Sequence, residues 1–306
     1  MSAVAIQCLP SSARDTLRLA SRLGVPMYEI EAHQFPDGEF RVTTGPAAPT
    51  TILYLPLDHP NDKLIVLLFA VEALRRNGAK RLVLVAPYLC YMRQDAAFHP
   101  GEAISQKTVG ALLARCVDRV VTVDSHLHRT ANLNAVFPGI ASDNLSAMPA
   151  IADKLRSAGI DPRTIVVGPD SESEPWVSDL ASRLGVAHAV AQKDRRSDRS
   201  VDIKFVDPKL FVGRPILLVD DIVSSGGTLI ACAQALVATG AATIDAVVTH
   251  ALFPAALVAD FVRAGIRSIR STNSVPHPSN VFYLDGVLSA ALCGELANVA
   301  KPGRKS

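Results

Sequence analysis

The sequence predicts an α/β fold made of two tandem domains, each with a doubly wound, mainly parallel sheet. Three observations predict it. Short continuous apolar runs alternate with longer stretches of helical periodicity, and a glycine repeatedly closes the helical stretch. Continuous apolar runs are typical of parallel strands that are buried on both faces. The chain has 306 residues, which is enough for two domains with a hydrophobic core each.

The predicted strands stand at the start or the end of the helical units. They are Arg81–Ala86, Arg119–Asp124, Thr164–Val167, Ala187–Ala191, Ile216–Val219, Thr243–Val248 and Arg267–Ser271. Helices are expected over Asn61–Asn77, from about Ser105, from about Thr228 and after Asp285. Gly78, Gly159, Gly185, Gly240 and Gly265 each follow a helical stretch. Glycine is the usual residue where a helix ends in the left-handed conformation, so these glycines are predicted helix stops.

Two strand–loop–helix–strand units of similar spacing occur along the chain. One runs from Arg81 to Asp124 and the other from Ile216 to His250. Their order and spacing match while residue identity is weak, which indicates a duplicated domain. The predicted domains are residues 1–145 and 146–306, with the last helix, after Asp285, a candidate to pack back on the first half.

Composition and charge restrict the classes of function. The net charge is only +2 and the basic residues are scattered, so nothing favours a nucleic-acid partner. The longest apolar run, Leu64–Val71, is too short to cross a membrane. The five cysteines show no C-x-x-C pairing, and the N-terminus shows no export signal. We expect a cytoplasmic protein with neither a nucleic-acid nor a membrane partner.

The run Leu64–Val71 has no polar face although it lies in a predicted helix. A helix that is apolar all round must be buried in a core or in an interface. Contact between subunits is the preferred interpretation, and burial in the core is the alternative.

The segment from Ile216 to Thr228 is the most informative stretch of the chain. Four apolar residues form a strand that is predicted to end at Asp220 and Asp221, and small residues lead into a helix at Leu229. Backbone N–H groups at a helix N-terminus bind phosphate. The predicted phosphate-binding residues are Ser224, Ser225, Gly226, Gly227 and Thr228. The two carboxylates repel phosphate and suit sugar hydroxyls or a bridging cation, so the segment predicts a sugar phosphate.

This segment resembles the loop that binds 5-phosphoribosyl 1-diphosphate (PRPP) in type I phosphoribosyltransferases and PRPP synthases. No lysine follows the glycines and G-x-G-x-x-G is absent, so the segment is neither a Walker A loop nor a dinucleotide fingerprint. An ordinary strand–turn–helix corner with a solvated pair of aspartates is the alternative.

Further polar segments extend the resemblance to the PRPP synthase family, ribose-phosphate diphosphokinase, over nearly the whole chain. They are Phe35–Glu39, Pro87–Asp95, Val123–His128, Gly168–Ser173 and Gln192–Arg199. In that family ATP gives its β,γ-diphosphoryl group to the 1-hydroxyl of ribose 5-phosphate, which yields PRPP and AMP. The resemblance, closest in loop pattern to archaeal-type members, implies two tandem type I phosphoribosyltransferase-like domains. It places ATP in the first domain and the ribose 5-phosphate loop in the second.

The resemblance also implies an ATP site that two subunits share. Phe35 would stack near the adenine of a neighbouring subunit, and Asp37 and Glu39 would accept hydrogen bonds from the adenine amino group. The chain would therefore form a homo-oligomer.

On the same basis, the residues Arg93, Gln94 and Asp95 would contact ATP. The chain departs from many members directly after Asp95, because Ala96 and Ala97 stand where those members have lysines. The absence of these lysine charges is expected to affect activation by phosphate, inhibition by ADP and the affinity for ATP.

The remaining implied roles concern the transferred phosphates. His126 would contact the ATP phosphates and ligate a cation, and Asp170 would hold Mg²⁺ or the ribose hydroxyls, which makes Mg²⁺ the implied cofactor. The charged run Gln192–Arg199 is typical of a solvated loop. The resemblance implies that Lys193 and Arg195 are a basic pair on a mobile loop that closes over the transferring group, where charge must be compensated.

Two alternative functions stay open from the sequence. A catalytically silent homologue that regulates a true synthase would explain Ala96, Ala97 and the acidic Glu172. A phosphoribosyltransferase that consumes PRPP would explain the loop of the second domain but none of the ATP-like segments of the first.

Overall fold

A computed structural model describes residues 2–127, 129–197 and 200–297, with the side chains of 193–197, 200–202 and 297 outside this description. The chain forms two compact units. One contains the residues up to Leu145 together with the last helix, which begins at Asp285, and the other is Ser146–Leu284.

The described strands, in chain order, are β1 (Val4–Cys8), β2 (Met27–Glu29), β3 (Glu31–Gln34), β4 (Phe40–Thr43), β5 (Thr50–Tyr54), β6 (Arg81–Ala86), β7 (Arg119–Val123), β8 (Ala141–Leu145), β9 (Ile165–Gly168), β10 (Ala187–Val190), β11 (Gln192–Ser197), β12 (Ser200–Lys204), β13 (Pro215–Val223), β14 (Thr243–Ala251), β15 (Ile266–Thr272) and β16 (Asn280–Phe282). The described α-helices are α1 (Ala13–Leu23), α2 (Pro60–Arg76), α3 (Ser105–Cys116), α4 (Met148–Ala158), α5 (Glu174–Leu184), α6 (Gly227–Ala238), α7 (Val258–Arg263) and α8 (Asp285–Ala297).

Each unit is built on one parallel sheet of six strands. The strand order is β2-β1-β5-β6-β7-β8 in the first unit and β10-β9-β13-β14-β15-β16 in the second. Every neighbouring pair in both sheets is parallel. The prediction of an α/β fold with mainly parallel sheets is therefore confirmed. Loops that follow neighbouring parallel strands meet at one edge of a sheet, and that edge is where such folds bind ligands.

The apolar runs form the core of each sheet, as the sequence predicts. In β6 the five residues Leu82–Ala86 are fully buried, and in β13 the four residues Ile216–Val219 are at most 3% exposed. A predicted helix stop is also found at Gly185, which ends α5 with φ of 69° and donates its N–H to the carbonyls of the last turn.

The strand β13 is longer than predicted. It continues through Asp220 and Asp221 to Val223, because the pairing with β14 continues from Asp220 opposite Val248 to Val223 opposite Ala251. The charged side chains of Asp220 and Asp221 predict a strand end. Backbone pairing between strands does not require apolar side chains, so the strand continues past them.

Two isolated antiparallel hairpins accompany the sheets. The pair β3 and β4 belongs to the first unit. The pair β11 and β12 contains most of the basic segment that the sequence assigned to a loop, with Lys193 opposite Ile203 and Arg195 opposite Val201. Its backbone is therefore an extended pair rather than an open loop.

The helix α8 is bound to the first unit by buried ion pairs. Glu295, with its side chain 2% exposed, accepts from Arg81 Nε at 2.6 Å and from Arg119 Nη1 at 2.8 Å. At the other end of the helix, Asp285 pairs with Arg18 and Arg22. These contacts explain why the last helix belongs to the first unit.

The apolar helix predicted over 61–77 is α2. Val66, Leu67 and Ala70 are buried, whereas Ile65 and Phe69 are 42% and 45% exposed in this single chain. Contact of this face with another subunit stays a prediction. Within the described residues, no helix combines the length and apolar character that crossing a bilayer requires.

Candidate active site

The edge of the first sheet at the carboxyl ends of β5, β6 and β7 carries strained backbone. His59, Tyr91 and Asp124 follow these three strands and have φ of 47°, 61° and 39°. Positive φ is unfavourable for residues other than glycine and persists where the surrounding structure enforces it, which is often at functional sites. The three strands are neighbours, so the three loops lie at one edge.

The segment after β6 carries the predicted ATP-binding residues Arg93, Gln94 and Asp95. Arg93 is exposed. The carbonyl of Gln94 accepts from the N–H of Gln106 at 3.2 Å, and its side-chain oxygen accepts from Ser105 Oγ at 2.9 Å. The first turn of α3 therefore fixes the backbone of this segment.

Asp95 forms an ion pair with an arginine that the sequence prediction did not single out. The backbone N–H and Nη1 of Arg129 donate to its two carboxylate oxygens at 3.2 and 2.7 Å, and the Asp95 side chain is only 4% exposed. Burial alone would raise the pKa of Asp95, but the hydrogen bonds from Arg129 outweigh it and lower the pKa below its ordinary value. Asp95 is thus a charged group held in a fixed place.

His126 lies two residues beyond the buried Asp124, in the loop after β7. This loop is fixed by β8, because Asp124 donates its N–H to the carbonyl of Leu145 at 2.8 Å and Ser125 donates to Asn144 Oδ1 at 2.9 Å. His126 itself is half-buried. His128 lies outside the described residues.

The turn of the β3–β4 hairpin displays the predicted adenine-binding residues at its tip. The N–H of Phe35 donates to the carbonyl of Glu39 at 2.8 Å, and the N–H of Glu39 donates to Asp37 Oδ1 at 3.2 Å. The Phe35 ring is 39% exposed and meets the His33 ring edge-on at 4.8 Å. The tip therefore presents an aromatic face beside two carboxylates.

In the second unit, the turn between β13 and α6 forms the predicted phosphate loop. Gly226 precedes the helix with φ of 74°, and its carbonyl accepts the N–H of Ile230 at 2.9 Å. The helix begins at Gly227, so the N–H groups of its first turn have no partner within the helix. Those N–H groups and the positive end of the helix dipole favour an anion at this turn.

Three carboxylates stand beside this loop, and they belong to two neighbouring strands or follow them. Asp170 follows β9, which pairs directly with β13. Burial raises the pKa of the Cys232 thiol in α6, and the charges of Asp220 and Asp170 raise it further, so both carboxylates lie near this thiol. Asp221 is 4% exposed, and as the next residue of the strand it projects from the other face.

The position of Asp170 depends on a close approach between two small residues. Asp170 Oδ1 accepts from the N–H of Glu172 at 3.2 Å, and Ser173 Oγ donates to the carbonyl of Asp170 at 2.5 Å. A Cβ on Gly168 would lie 1.9 Å from Ser173 Oγ, so this turn requires glycine there. Glu172 is exposed and lies in a short 3₁₀ turn before α5.

Lys193 and Arg195 are the predicted catalytic cations of the second unit. Both lie in β11, and their side chains are outside the described part of the chain. Their roles therefore stay predictions. Among the described residues, no group of three or more His, Cys, Asp or Glu side chains is arranged to hold a metal ion.

A pocket of about 510 Å³ lies in the second unit away from these residues. It is formed at the amino ends of β9, β13, β14 and β15, on the opposite edge of the sheet from the phosphate loop. Arg163 and Arg267 line it, and they pair there with Asp161 and Asp245. Because the pocket lies at the opposite edge of the sheet, it is not part of the candidate site.

The most important residue that the sequence prediction missed is Arg129. Its partner Asp95 is 34 residues away, and the two meet only because β6 and β7 are adjacent strands. The one signal in the sequence is that both residues follow strands of a predicted parallel sheet, so their loops were expected at the same edge.

Comparison with known proteins agrees with this arrangement. The family model described as the N-terminal domain of ribose phosphate pyrophosphokinase matches residues 6–116, and the phosphoribosyl transferase domain model matches residues 145–260. The solved phosphoribosylpyrophosphate synthetase of Mycobacterium smegmatis has the same fold, with a TM-score of 0.82 at 24% identity over 97% of this chain and 100% of that one. The chain is thus a protein of the phosphoribosyltransferase-fold class.

Relatives with curated names define the family more closely. The ribose-phosphate pyrophosphokinase of Methanopyrus kandleri is 32% identical over 265 residues, which is 85% of this chain and 89% of that protein. The one from Aquifex aeolicus is 30% identical over 297 residues, which is 95% of this chain and 94% of that protein. The chain belongs to the ribose-phosphate pyrophosphokinase family, and the family resemblance inferred from its loops is confirmed.

Proposed function

We propose that this protein transfers the β,γ-diphosphoryl group of ATP to the 1-hydroxyl of ribose 5-phosphate and releases PRPP and AMP. The observation that carries the proposal is the edge of the second sheet. There the turn before α6 presents N–H groups that have no partner within the helix, Asp220 lies in β13 before this turn, and Asp170 follows the neighbouring strand β9. Family membership supports the same activity, and neither the silent regulator nor the phosphoribosyltransferase is favoured by the comparisons.

Ribose 5-phosphate is proposed to bind to the second unit. Its phosphate accepts hydrogen bonds from the N–H groups and hydroxyls of the turn, which comprises Ser224, Ser225, Gly226, Gly227 and Thr228. The sugar hydroxyls donate to the carboxylate of Asp220, and Asp170, which follows the neighbouring strand β9, is a second proposed partner. Asp221 remains a proposed diol ligand, although its buried carboxylate accepts the N–H of Ile222 at 2.7 Å.

ATP is proposed to bind to the first unit through the loops that follow β6 and β7. Arg93 and His126 carry the hydrogen-bond donors that suit phosphate oxygens, and the exposed guanidinium of Arg93 can form a fork with two of them. Gln94 is oriented by Ser105, which donates to its side-chain oxygen. Asp95 is proposed to belong to this site, where the ion pair with Arg129 holds its carboxylate in one place.

The hairpin tip with Phe35, Asp37 and Glu39 is proposed to complete the ATP site of another copy of the chain. All three side chains are exposed at the end of an isolated two-stranded hairpin. An aromatic ring with adjacent carboxylates matches adenine, which has a flat face and an amino group that donates hydrogen bonds. A homo-oligomer follows from this proposal.

Positioning and charge compensation are proposed to supply most of the rate enhancement. The anomeric hydroxyl of the sugar attacks the β-phosphorus and releases its proton to water, the bond from that phosphorus to the α-phosphate oxygen breaks, and AMP leaves. Negative charge grows on the bridging oxygen and on the transferred group. Lys193 and Arg195 are proposed to compensate this charge.

Mg²⁺ is proposed as the cofactor, and the donor chemistry of the second unit fits it. Mg²⁺ prefers oxygen ligands and is usually held by one or two carboxylates together with substrate phosphates and water. Asp170 and Asp220 supply such carboxylates. The imidazole of His126, also proposed as a ligand, matches this preference less well. When bound, the ion neutralises phosphate charge.

The activity is tested by chromatography of reactions that contain the purified protein, ATP and Mg²⁺. We expect AMP to appear only when ribose 5-phosphate is added, in an amount equal to the PRPP formed. Consumption of PRPP with a free nucleobase, without AMP formation from ATP, would instead support a phosphoribosyltransferase. A cytoplasmic location is part of the proposal, and it agrees with the five free cysteines.

A further inference from the structure

Arg129 connects two loops of the candidate ATP site that are far apart in sequence. It lies three residues after His126, in the loop that follows β7, whereas its partner Asp95 lies in the loop that follows β6. Both its backbone N–H and its guanidinium donate to the Asp95 carboxylate, at 3.2 and 2.7 Å. A two-point contact fixes the orientation of one loop against the other, which a single hydrogen bond would not do.

The same arginine also covers an aromatic ring of the first loop. Its guanidinium carbon lies 5.1 Å from the centre of the Phe98 ring, a distance typical of a cation–π contact. Phe98 is otherwise 58% exposed. Arg129 therefore contacts the loop after β6 on both sides of Ala96 and Ala97, which themselves offer no polar group.

A second bridge lies beside the first. Thr130 Oγ1 donates to Gln106 Oε1 at 2.8 Å, and Gln106 Nε2 donates to the carbonyl of Met92 at 3.3 Å. The N–H of Gln106 also donates to the carbonyl of Gln94 at 3.2 Å. The backbone on both sides of Arg93 is thus held by residues 106 and 129–130.

We propose that Arg129 is a positioning residue for ATP, which acts through Asp95 to hold the loop carrying Arg93 and Gln94 against the loop carrying His126. The proposal rests on the proposed function of these loops. The Arg129 side chain is 58% exposed and lies outside the hydrophobic core, whereas the Asp95 side chain is 4% exposed. Its loss is therefore expected to weaken nucleotide binding, with a cost in stability limited to the buried Asp95 carboxylate.

The test is a comparison of Arg129→Ala, Arg129→Lys and wild type in steady-state kinetics. We expect Arg129→Ala to raise KM for ATP by about tenfold, the equivalent of one charge-assisted hydrogen bond, and to leave KM for ribose 5-phosphate unchanged. Both variants keep the backbone donor, but Arg129→Lys also keeps the positive charge and loses only the planar guanidinium over Phe98, so it should recover part of the ATP affinity. Equal effects on both KM values, or no effect on either, would overturn the proposal.

A double-mutant cycle separates positioning from direct contact with ATP. If Arg129 acts through Asp95, the double variant Arg129→Ala/Asp95→Asn should bind ATP no more weakly than the weaker single variant. Multiplicative losses would instead mean that Arg129 contacts the nucleotide independently, and the proposal would be wrong. Arg76→Ala is the matched control, because Arg76 is another exposed, paired arginine of the first unit, bonded to Glu72 at 3.0 Å.

Calorimetric titration with ATP in the absence of ribose 5-phosphate keeps this test separate from the proposed reaction. Wild-type protein that binds ATP in this titration but forms no PRPP once ribose 5-phosphate is added would refute the proposed reaction. The ATP affinities of the variants could still be compared. Variants with an unchanged Tm and weakened ATP binding support the positioning role. Unchanged ATP binding in Arg129→Ala refutes it.

Discussion

Gly226 lies directly against the ring of Phe261 with a positive φ of 74°. A Cβ at this position would be 2.7 Å from Phe261 Cε1 and 2.8 Å from Leu257 Cδ2, closer than real side chains approach. The turn that is proposed to bind phosphate therefore packs against Phe261 of α7 and against Leu257, which precedes that helix. Its conformation and its packing both require glycine.

Replacement of Gly226 by alanine should destabilise the second unit by about 1–3 kcal/mol and raise KM for ribose 5-phosphate. The adjacent Gly227→Ala is the control for stability, since its Cβ would meet nothing closer than Ser225 Oγ at 4.0 Å and alanine favours the helix that begins there. Thermal unfolding of both variants measures the difference. Equal loss of stability in the two variants would show that the contact with Phe261 is unimportant.

Lys193→Ala is expected to lower kcat by at least about 10²-fold while the protein stays folded, because a donor to the developing charge is removed. Lys204→Ala removes the same charge from the paired strand β12 and should have a much smaller effect, since Lys204 is not a predicted catalytic group. Both are measured by the initial rate of AMP formation. A Lys193→Ala variant within tenfold of wild type would remove this lysine from the mechanism.

Asp170→Asn should raise the Mg²⁺ concentration needed for half-maximal activity by about tenfold, a change of about 1.4 kcal/mol. Asparagine keeps an oxygen that can accept from the N–H of Glu172, so the turn should be retained while the charge is lost. Asp179→Asn, at an exposed carboxylate paired with Arg183 in α5, is the matched control. An unchanged Mg²⁺ dependence in Asp170→Asn would exclude Asp170 as a ligand.

Phe35→Ala and Lys193→Ala should complement each other if subunits share ATP sites. Each variant alone should be nearly inactive, because one lacks the hairpin contact and the other lacks the catalytic lysine. Co-expression lets an intact hairpin from one chain serve an intact Lys193 of another, so activity should reappear. Mixed protein that is no more active than either variant would mean that each chain completes its own site.

Glu295 should contribute stability to the first unit that depends on pH. Burial alone would raise the pKa of Glu295, but the hydrogen bonds from Arg81 and Arg119 outweigh it and hold the pKa below its ordinary value. The ion pairs therefore stabilise the folded state fully above the ordinary carboxyl pKa, about 4.3, and lose this effect as the pH falls through the lowered pKa.

At neutral pH, Glu295→Ala should cost about 3–5 kcal/mol, because it removes the carboxylate that pairs with Arg81 and one of the two carboxylates that pair with Arg119. Glu72→Ala breaks an exposed pair with Arg76 and should cost well under about 1 kcal/mol. Denaturant unfolding at several pH values measures both. The difference between Glu295→Ala and wild type must shrink on acidification, and a constant difference would contradict the assignment.

Much of the fold could be predicted from the sequence because its signals are local. The run Leu82–Ala86 is apolar throughout, and the strand β6 has the predicted bounds Arg81–Ala86. The end of β13 could not be predicted, since Asp220 and Asp221 look like a strand end while their backbone continues to pair with β14. The hairpin of β11 and β12 was missed for a similar reason, because its charged residues suggested a solvated loop.

Some parts of the candidate site could likewise be predicted from the sequence, and others could not. The turn around Gly226 could be predicted because small residues between a strand and a helix are typical of a phosphate-binding turn. The pairing of Arg129 with Asp95 was not, because it depends on the order of the strands in the sheet. Asp220 and Asp221 project from opposite faces because both lie within the extended strand β13. The sequence did not reveal that β13 continues past them.

The most direct test of the central claim is ³¹P NMR of the purified protein with MgATP and ribose 5-phosphate. The account predicts that the signals of ATP decline while AMP and a sugar-bound diphosphate grow together in equal amounts. Formation of ADP with a singly phosphorylated sugar product, or a spectrum that does not change although ATP binds, would contradict it.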